Sequence, residues 1–272
     1  MTELTPFEVS FSPSRFVPNA ESPEQAMGKW IEFQQQCFNE NLNKYKVDFD
    51  LNAMIFGIQI TQMRFKNVHI FVHGGYWQEC SRKTTGSILN SFLTSNIAVF
   101  MVGYTLATQV PLTNLIAQIE EAIKDISRKF PHAKLTISGH SAGAHLAAKA
   151  IENPDIGKLV HSATLICGVY DLVPLVGTYI GRGINLTHEM AEQTSVSWEK
   201  VAKFKGKVLC IQANFDAPSL QKQSKEFAKK LSTKKTEGLQ VESFDEDHFS
   251  IISALNDPQS KVSKCIIDFV LQ

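Results

Sequence analysis

Neither sign of charge is in excess in this chain: 27 lysines and arginines balance 27 aspartates and glutamates over 272 residues. That balance leaves no field to draw the protein onto nucleic acid or an anionic membrane, so a small neutral or zwitterionic molecule is the expected partner. No apolar run approaches the roughly 18 residues that a membrane span needs, and the N-terminus MTELTPFEVSFSPSR has no basic region followed by an apolar stretch. Cysteine is sparse and odd in number: Cys37, Cys80, Cys167, Cys210 and Cys265 are widely spaced, mostly in apolar runs, and no pair has metal-site spacing. This usage suits buried thiols in a reducing compartment, and a soluble cytoplasmic protein is expected, with the nucleus left open. Internal repeats and low-complexity segments are absent. The tripeptide Asn185-Leu186-Thr187 matches a glycosylation sequon, but without a secretory signal it reads as a chance match.

What the chain does have is a core-forming composition, 43% hydrophobic and 20% charged, enough for a single domain over residues 1–272. From about Val68, short β-branched runs alternate with longer helical patterns, which indicates an α/β fold built on a mostly parallel sheet with helices on both faces. Strands are expected at Val68 to Val72, Ile97 to Val102, Lys134 to Ser138, Ala163 to Cys167, Lys207 to Ala213 and Leu239 to Phe244. The clearest helix opens at Pro111 and carries Leu112, Leu115, Ile116, Ile119, Ile123 and Ile126 at steps of three and four, one apolar stripe to lay against the sheet. Further helices are expected at 84–95, from Pro218, from Phe249 and from about Gln259. Earlier, Pro23 to Asn39 reads as a helix and Ile55 to Phe65 as early strands. Residues 174–198 break the rhythm, with three glycines and no clean period, and are read as a small cap inserted over the C-terminal edge of the sheet.

The chemistry concentrates in four places. Gly139-His140-Ser141-Ala142-Gly143 follows the strand Leu135-Thr136-Ile137-Ser138 and precedes the helix-forming run Ala144-His145-Leu146-Ala147-Ala148. This is Gly-x-Ser-x-Gly in a strand-turn-helix context, the nucleophile elbow of the α/β-hydrolase fold, with Ser141 at a helix N-terminus where developing negative charge is favoured. His73-Gly74-Gly75-Tyr76-Trp77 follows an earlier strand, and its glycines let backbone amides approach an oxyanion; the amides of Gly74, Gly75 and Ala142 are the candidates. A base is required late in the chain, and His248, in Asp245-Glu246-Asp247-His248-Phe249, is the only histidine after His188. Asp216, just beyond the strand Lys207 to Ala213, fits the acid; Asp171 is its rival, with helix capping as its other role, and Asp247, next to the histidine, ranks third. The remaining histidines show no metal spacing; His140 and His145 are expected to pack or hydrogen-bond beside the elbow.

These blocks resemble the kynurenine formamidase (arylformamidase) family of α/β-hydrolases. HGGYWQ at 73–78, GHSAGAHLAA at 139–148, YDL at 170–172, DAPSLQKQSKEF at 216–227, DHFSII at 247–252 and SPSR at 12–15 are similar to that family's blocks and stand in its order. The resemblance implies hydrolysis of N-formylkynurenine to kynurenine and formate in tryptophan catabolism. It implies Ser141 as nucleophile, Asp216 as acid and His248 as base, with no metal and no organic cofactor. Tyr76 and Trp77 could line an aryl pocket or pack beneath the loop, and the residues do not choose between these. Two other readings stay open: a broader carboxylesterase or aryl amidase, and a non-catalytic α/β-hydrolase serving as a binding module. Exposed sheet edges leave room for a homodimer.

Overall fold

Strands that are apolar along their whole length must be covered on both faces, and here they form the middle of one eight-stranded sheet. A computed structural model describes residues 3–45, 49–52, 55–58, 66–234 and 236–272, with only the backbone described for 49–52 and 55–58. In chain order the strands are β1 (Phe49–Asn52), β2 (Ile55–Ile58), β3 (Asn67–Val72), β4 (Ala98–Val102), β5 (Lys134–His140), β6 (Ser162–Ile166), β7 (Lys207–Ala213) and β8 (Leu239–Phe244). Their order across the sheet is β1-β2-β4-β3-β5-β6-β7-β8. The six strands from β4 to β8 are parallel, whereas β2 pairs antiparallel with β4, and β1 with β2. Of the early strands expected over 55–65, Ile55–Ile58 forms; residues 59–65 lie outside the described residues.

Side chains alternate across the pleat, so β3, β4, β6 and β7 each feed two cores. Val68, Ile70 and Val72 join Ile137 and Ala163 on one face, under the helices Leu112–Lys129, Ala142–Glu152 and Pro218–Thr233. Phe71, Val99, Met101, Leu209 and Ile211 face the other way, under Pro23–Lys44, Ile88–Thr94 and Lys261–Leu271. The helix Leu112–Lys129 buries Leu112, Leu115, Ile119, Ala122, Ile123 and Ile126, and Ile116 is only half-buried at the margin of the stripe. Helices therefore cover both faces, as the alternation of periods predicts.

A polar tie crosses the middle of the sheet. His69 on β3 is fully buried, and its Nδ1 and Nε2 meet Thr136 Oγ1 at 2.7 Å and Ser138 Oγ at 2.6 Å on the adjacent β5. Burial without a counter-charge pushes its pKa down to about 3, so it stays neutral and acts as a cross-strand tie. Among the described residues, no helix is long and apolar enough to cross a membrane.

Residues 174–198 form two short helices, Tyr179–Gly183 and His188–Thr194. They are tied to the rest of the chain by polar bonds. Gln78 Nε2 donates to Ile180 O at 2.8 Å, and Glu8 accepts from Tyr179 N at 2.8 Å and from Arg182 at 3.2 Å. Further along, Glu152 accepts from Ser197 N at 2.7 Å and pairs with Lys149 at 2.8 Å.

Replacing fully buried Ile119 by alanine is expected to cost about 2–5 kcal/mol in denaturant unfolding through lost burial and the cavity left behind. Glu121→Ala on the same helix removes two exposed ion pairs, at 3.3 Å to Lys124 and 3.0 Å to Arg128, and should change stability by less than about 1 kcal/mol.

Candidate active site

Six parallel strands end at one edge of the sheet, and the residues singled out in the sequence follow the ends of β3, β5, β6, β7 and β8. Strand β5 runs to His140 and turns directly into the helix Ala142–Glu152, with Ser141 at the corner at φ 57°, ψ −120°. A left-handed φ is costly for a side chain-bearing residue, and the surroundings hold it there. Ser141 N donates to Ile166 O on β6 at 2.9 Å, and Ser141 O accepts from Ala144 N and His145 N. Both glycines of the motif are required by backbone proximity: a Cβ at Gly139 would lie 2.1 Å from Gly143 O, and one at Gly143 would lie 2.1 Å from Val72 O. The N–H of Ala142, first in its helix, has no acceptor within the helix and is free for a ligand oxygen.

The loop after β3 lies against this corner. A Cβ on Gly74 would sit 2.9 Å from His140 O and 3.1 Å from Ser141 Cβ, so only glycine fits without a shift. Three successive residues, Gly75, Tyr76 and Trp77, have φ of 99°, 45° and 62°. His73 anchors the loop by stacking on Tyr104, ring centroids 4.2 Å apart, while Tyr104 Oη donates to the carbonyls of His73 and Gly74, each at 3.1 Å. Outside this region the positive-φ residues that are not glycine are all asparagines, Asn19, Asn96 and Asn185; here they are Tyr76, Trp77, Cys80, Ser141 and Cys167. Backbone strain is thus concentrated where the chain approaches Ser141.

His248 follows β8 and is 3% exposed. Its Nδ1 lies 2.8 Å from Asp216 Oδ2, and Asp216 Oδ1 accepts from Ala217 N at 2.6 Å. The carboxylate, fixed by that backbone donor, holds one ring nitrogen and leaves Nε2 free. The two other acids do different things. Asp171 is exposed and accepts from Val173 N at 3.1 Å, a local turn contact, while Asp247 Oδ1 accepts from Phe249 N at 2.7 Å and Ser250 N at 2.9 Å and closes the turn beyond His248.

Ser141 and His248 both line a narrow pocket together with Gly74, Gly75, Tyr76 and His140. Its outer wall includes Pro13, Met27 and Trp30 from the first thirty residues, and no residue of 174–198 lines it. Sequence reasoning missed these wall residues; the signal in the chain was the SPSR block, which contains Pro13. Tyr76 lines the pocket with its hydroxyl anchored to Phe11 O at 2.6 Å. Trp77 does not line it: it is fully buried, and its Nε1 donates to His145 Nδ1 at 3.2 Å. An indole can only donate, so His145 Nδ1 is the acceptor and its Nε2 carries the proton that goes to Thr194 O at 2.7 Å. For Trp77 the packing role is the one the structure displays. A cavity of about 640 Å³ exists elsewhere, between Ile116, Lys149, Glu152, Lys200, Lys203 and Phe204, but it lies at the far end of the elbow helix and holds neither Ser141 nor His248.

Burial sets the charge state of the imidazoles around Ser141. Desolvation pushes His73 down to about 4, His145 to about 3 and His140 well below its usual value, so all three are neutral at physiological pH. His248 differs from them in facing a carboxylate. Its ring lies 4.5 Å from that of His140, a neutral neighbour that adds no competing charge.

An eight-stranded, mostly parallel sheet with a strand-turn-helix serine, and an acid and a histidine following later strands, makes this an α/β-hydrolase. Solved structures agree on the fold. Esterase B from Lactobacillus rhamnosis superposes with a TM-score of 0.67 at 15% identity, covering 89% of this chain and 92% of its own. A fungal esterase from Rhizomucor miehei gives 0.62 at 16% identity, over 100% and 95%. Residues 57–155 match the BD-FAE family model. Kynurenine formamidase of Danio rerio is 31% identical over 214 residues, 74% of this chain and 72% of the relative, and that of Drosophila melanogaster is 30% identical over 72% and 70%. The chain belongs to the kynurenine formamidase family, and it is a hydrolase.

Trp77→Phe leaves His145 Nδ1 buried without its donor and should cost about 1–3 kcal/mol in thermal or denaturant unfolding. Turnover per folded molecule should stay within a few-fold of wild type, because the indole does not reach the pocket. A large rise in KM with unchanged stability would instead put Trp77 against substrate.

Proposed function

We propose that this protein hydrolyses N-formylkynurenine to kynurenine and formate, with Ser141 as nucleophile, His248 as general base and acid, and Asp216 as the residue that orients and charges His248. The observation that carries this reading is the buried Asp216–His248 pair at 2.8 Å, opening on the same pocket as Ser141 in a member of the kynurenine formamidase family. Ser141 Oγ attacks the formyl carbon while His248 Nε2 takes its proton. Backbone amides of Gly74, Gly75 and Ala142 receive the developing oxyanion, assisted by the helix N-terminus behind Ser141. The C–N bond then breaks, His248 returns the proton to the leaving aromatic amine, and a formyl ester remains on Ser141. Water, deprotonated by His248, attacks that ester; formate leaves and Ser141 recovers its proton.

The pocket's size favours this substrate class. Formyl is the smallest acyl group, and the glycine-lined space beside Ser141 is narrow. Tyr76 and Trp30, which also line the pocket, offer apolar faces to an aryl leaving group. Neither step calls on a metal or an organic cofactor. A broader esterase activity on small acyl groups is the second reading, favoured by the esterases among the structural neighbours.

Purified protein is expected to release kynurenine from N-formylkynurenine with a kcat/KM about tenfold or more above that for an aryl butyrate. Ser141→Ala should lower kcat by about 10⁶ and abolish fluorophosphonate labelling. Asp216→Asn should lower kcat by about 10⁴, whereas Asp171→Asn should leave it within a few-fold. Rapid ester cleavage without formamide cleavage would move the protein to the esterase reading; labelling that persists in Ser141→Ala would overturn the assigned nucleophile.

A further inference from the structure

Behind the Asp216–His248 pair lies a thiol for which the proposed hydrolysis has no use. Cys167 follows β6, is 1% exposed, and holds a left-handed φ of 48° with its backbone N–H bonded to Ile211 O at 2.9 Å. A cysteine is an uncommon choice for that conformation, and the turn directs its Sγ at Asp216. The ligand atoms of Cys167, Asp216 and His248 all lie within 4.8 Å of one another, and all three residues are buried. Among the described residues this is the one group of three or more His, Cys, Asp or Glu side chains with that closeness.

We propose that Cys167, Asp216 and His248 form an inhibitory site for a thiophilic divalent cation of the zinc class. Thiolate, imidazole and carboxylate are the ligand types zinc takes, at about 2.0–2.3 Å, and tetrahedral ligands at that reach stand roughly 3.5 Å apart. A separation as wide as 4.8 Å would close by about an ångström, whereas His248 Nδ1 and Asp216 Oδ2, at 2.8 Å, would open slightly. Charge favours the exchange. The thiol releases its proton, giving thiolate and carboxylate with two negative charges against the two positive charges of the metal, so an unbalanced buried carboxylate becomes a neutral buried cluster.

The consequence for turnover rests on the function proposed above. Metal on His248 Nδ1 takes the place of the proton held there, and that proton moves to Nε2 as the ring changes tautomer. Nε2 then donates and cannot accept the proton of Ser141, while Asp216 is drawn from orienting the ring to ligating the metal. One proton leaves per metal bound, from the thiol, and no bond to carbon is made or broken. Cys167 and Asp216 are buried and do not line the pocket shared by Ser141 and His248, so inhibition should develop slowly and reverse with a chelator.

The test uses the full chain, stripped with chelator, in two measurements. Cadmium titration reads the ultraviolet thiolate-to-metal charge-transfer band, and zinc titration reads N-formylkynurenine turnover. Wild type should show the band and lose turnover at saturating zinc, recovering it with chelator. Cys265→Ala, which removes a half-buried thiol on the helix Lys261–Leu271, away from the pocket, should behave as wild type. Cys167→Ala, and Cys167→Ser as a second variant, should lose the band, and their remaining turnover should be insensitive to zinc. No band in wild type, a band that survives loss of Cys167, or a band without loss of turnover overturns the proposal. If wild type has no hydrolase activity at all, the proposed function and the inhibitory consequence fall together, while the cadmium band still decides whether the site exists.

Discussion

The rest of the site hangs on how closely the turn after β5 packs against the end of β3. At Gly143 a single added carbon would meet Val72 O at 2.1 Å, and at Gly74 it would meet His140 O at 2.9 Å. This contact brings the elbow and the glycine loop to within an atom's width of each other. Ser141 is thereby forced into a left-handed backbone, with its side chain in the pocket and the free amide of Ala142 beside it. The strain is sustained by the sheet: β5 is hydrogen-bonded on both sides, to β3 and β6, and Ser141 N extends the ladder to Ile166 O.

Around that contact the protein has arranged polar groups whose charge is decided by burial. His69, His73, His140 and His145 are all held neutral by desolvation, and three of them serve as ties: between strands, across the glycine loop, and from the elbow helix to Trp77 and Thr194. His248 is the one set against a carboxylate. A group of neutral imidazoles with one paired imidazole keeps the reacting end of the sheet polar without accumulating positive charge. Residues 174–198 join this network from the side of the elbow helix through Thr194, and the N-terminal segment joins it through Glu8 and Phe11. The outer wall of the pocket belongs to the N-terminal segment.

Much of this was legible in the chain. The inner parallel strands announced themselves as apolar, β-branched runs because both of their faces are buried, and the helix Leu112–Lys129 as an apolar stripe because only one of its faces is. The elbow was readable because a close backbone approach needs glycine at fixed spacing around a serine. Pro13, Met27 and Trp30 were not readable as pocket residues, since nothing local distinguishes an apolar side chain over a pocket from one over a core. Trp77 illustrates the same ambiguity from the other side: beside Tyr76 in sequence, it points into the core while its neighbour lines the pocket, because the successive left-handed residues of the loop turn the two side chains apart.

By itself the sequence determined the fold class, the candidate serine and histidine, and the family, since each is written in local patterns: periodicity, glycine spacing and the order of motifs along the chain. Only the tertiary structure decided which of three acids meets His248. Asp216, Asp171 and Asp247 each sit in a turn near the end of a strand, and each accepts hydrogen bonds from the backbone; what separates them is a distance of 2.8 Å between residues 32 positions apart. The same holds for Cys167, an unremarked thiol in an apolar run until the ends of β6 and β7 bring it to the carboxylate. Such meetings are set by strand order and register, which no single stretch of chain encodes.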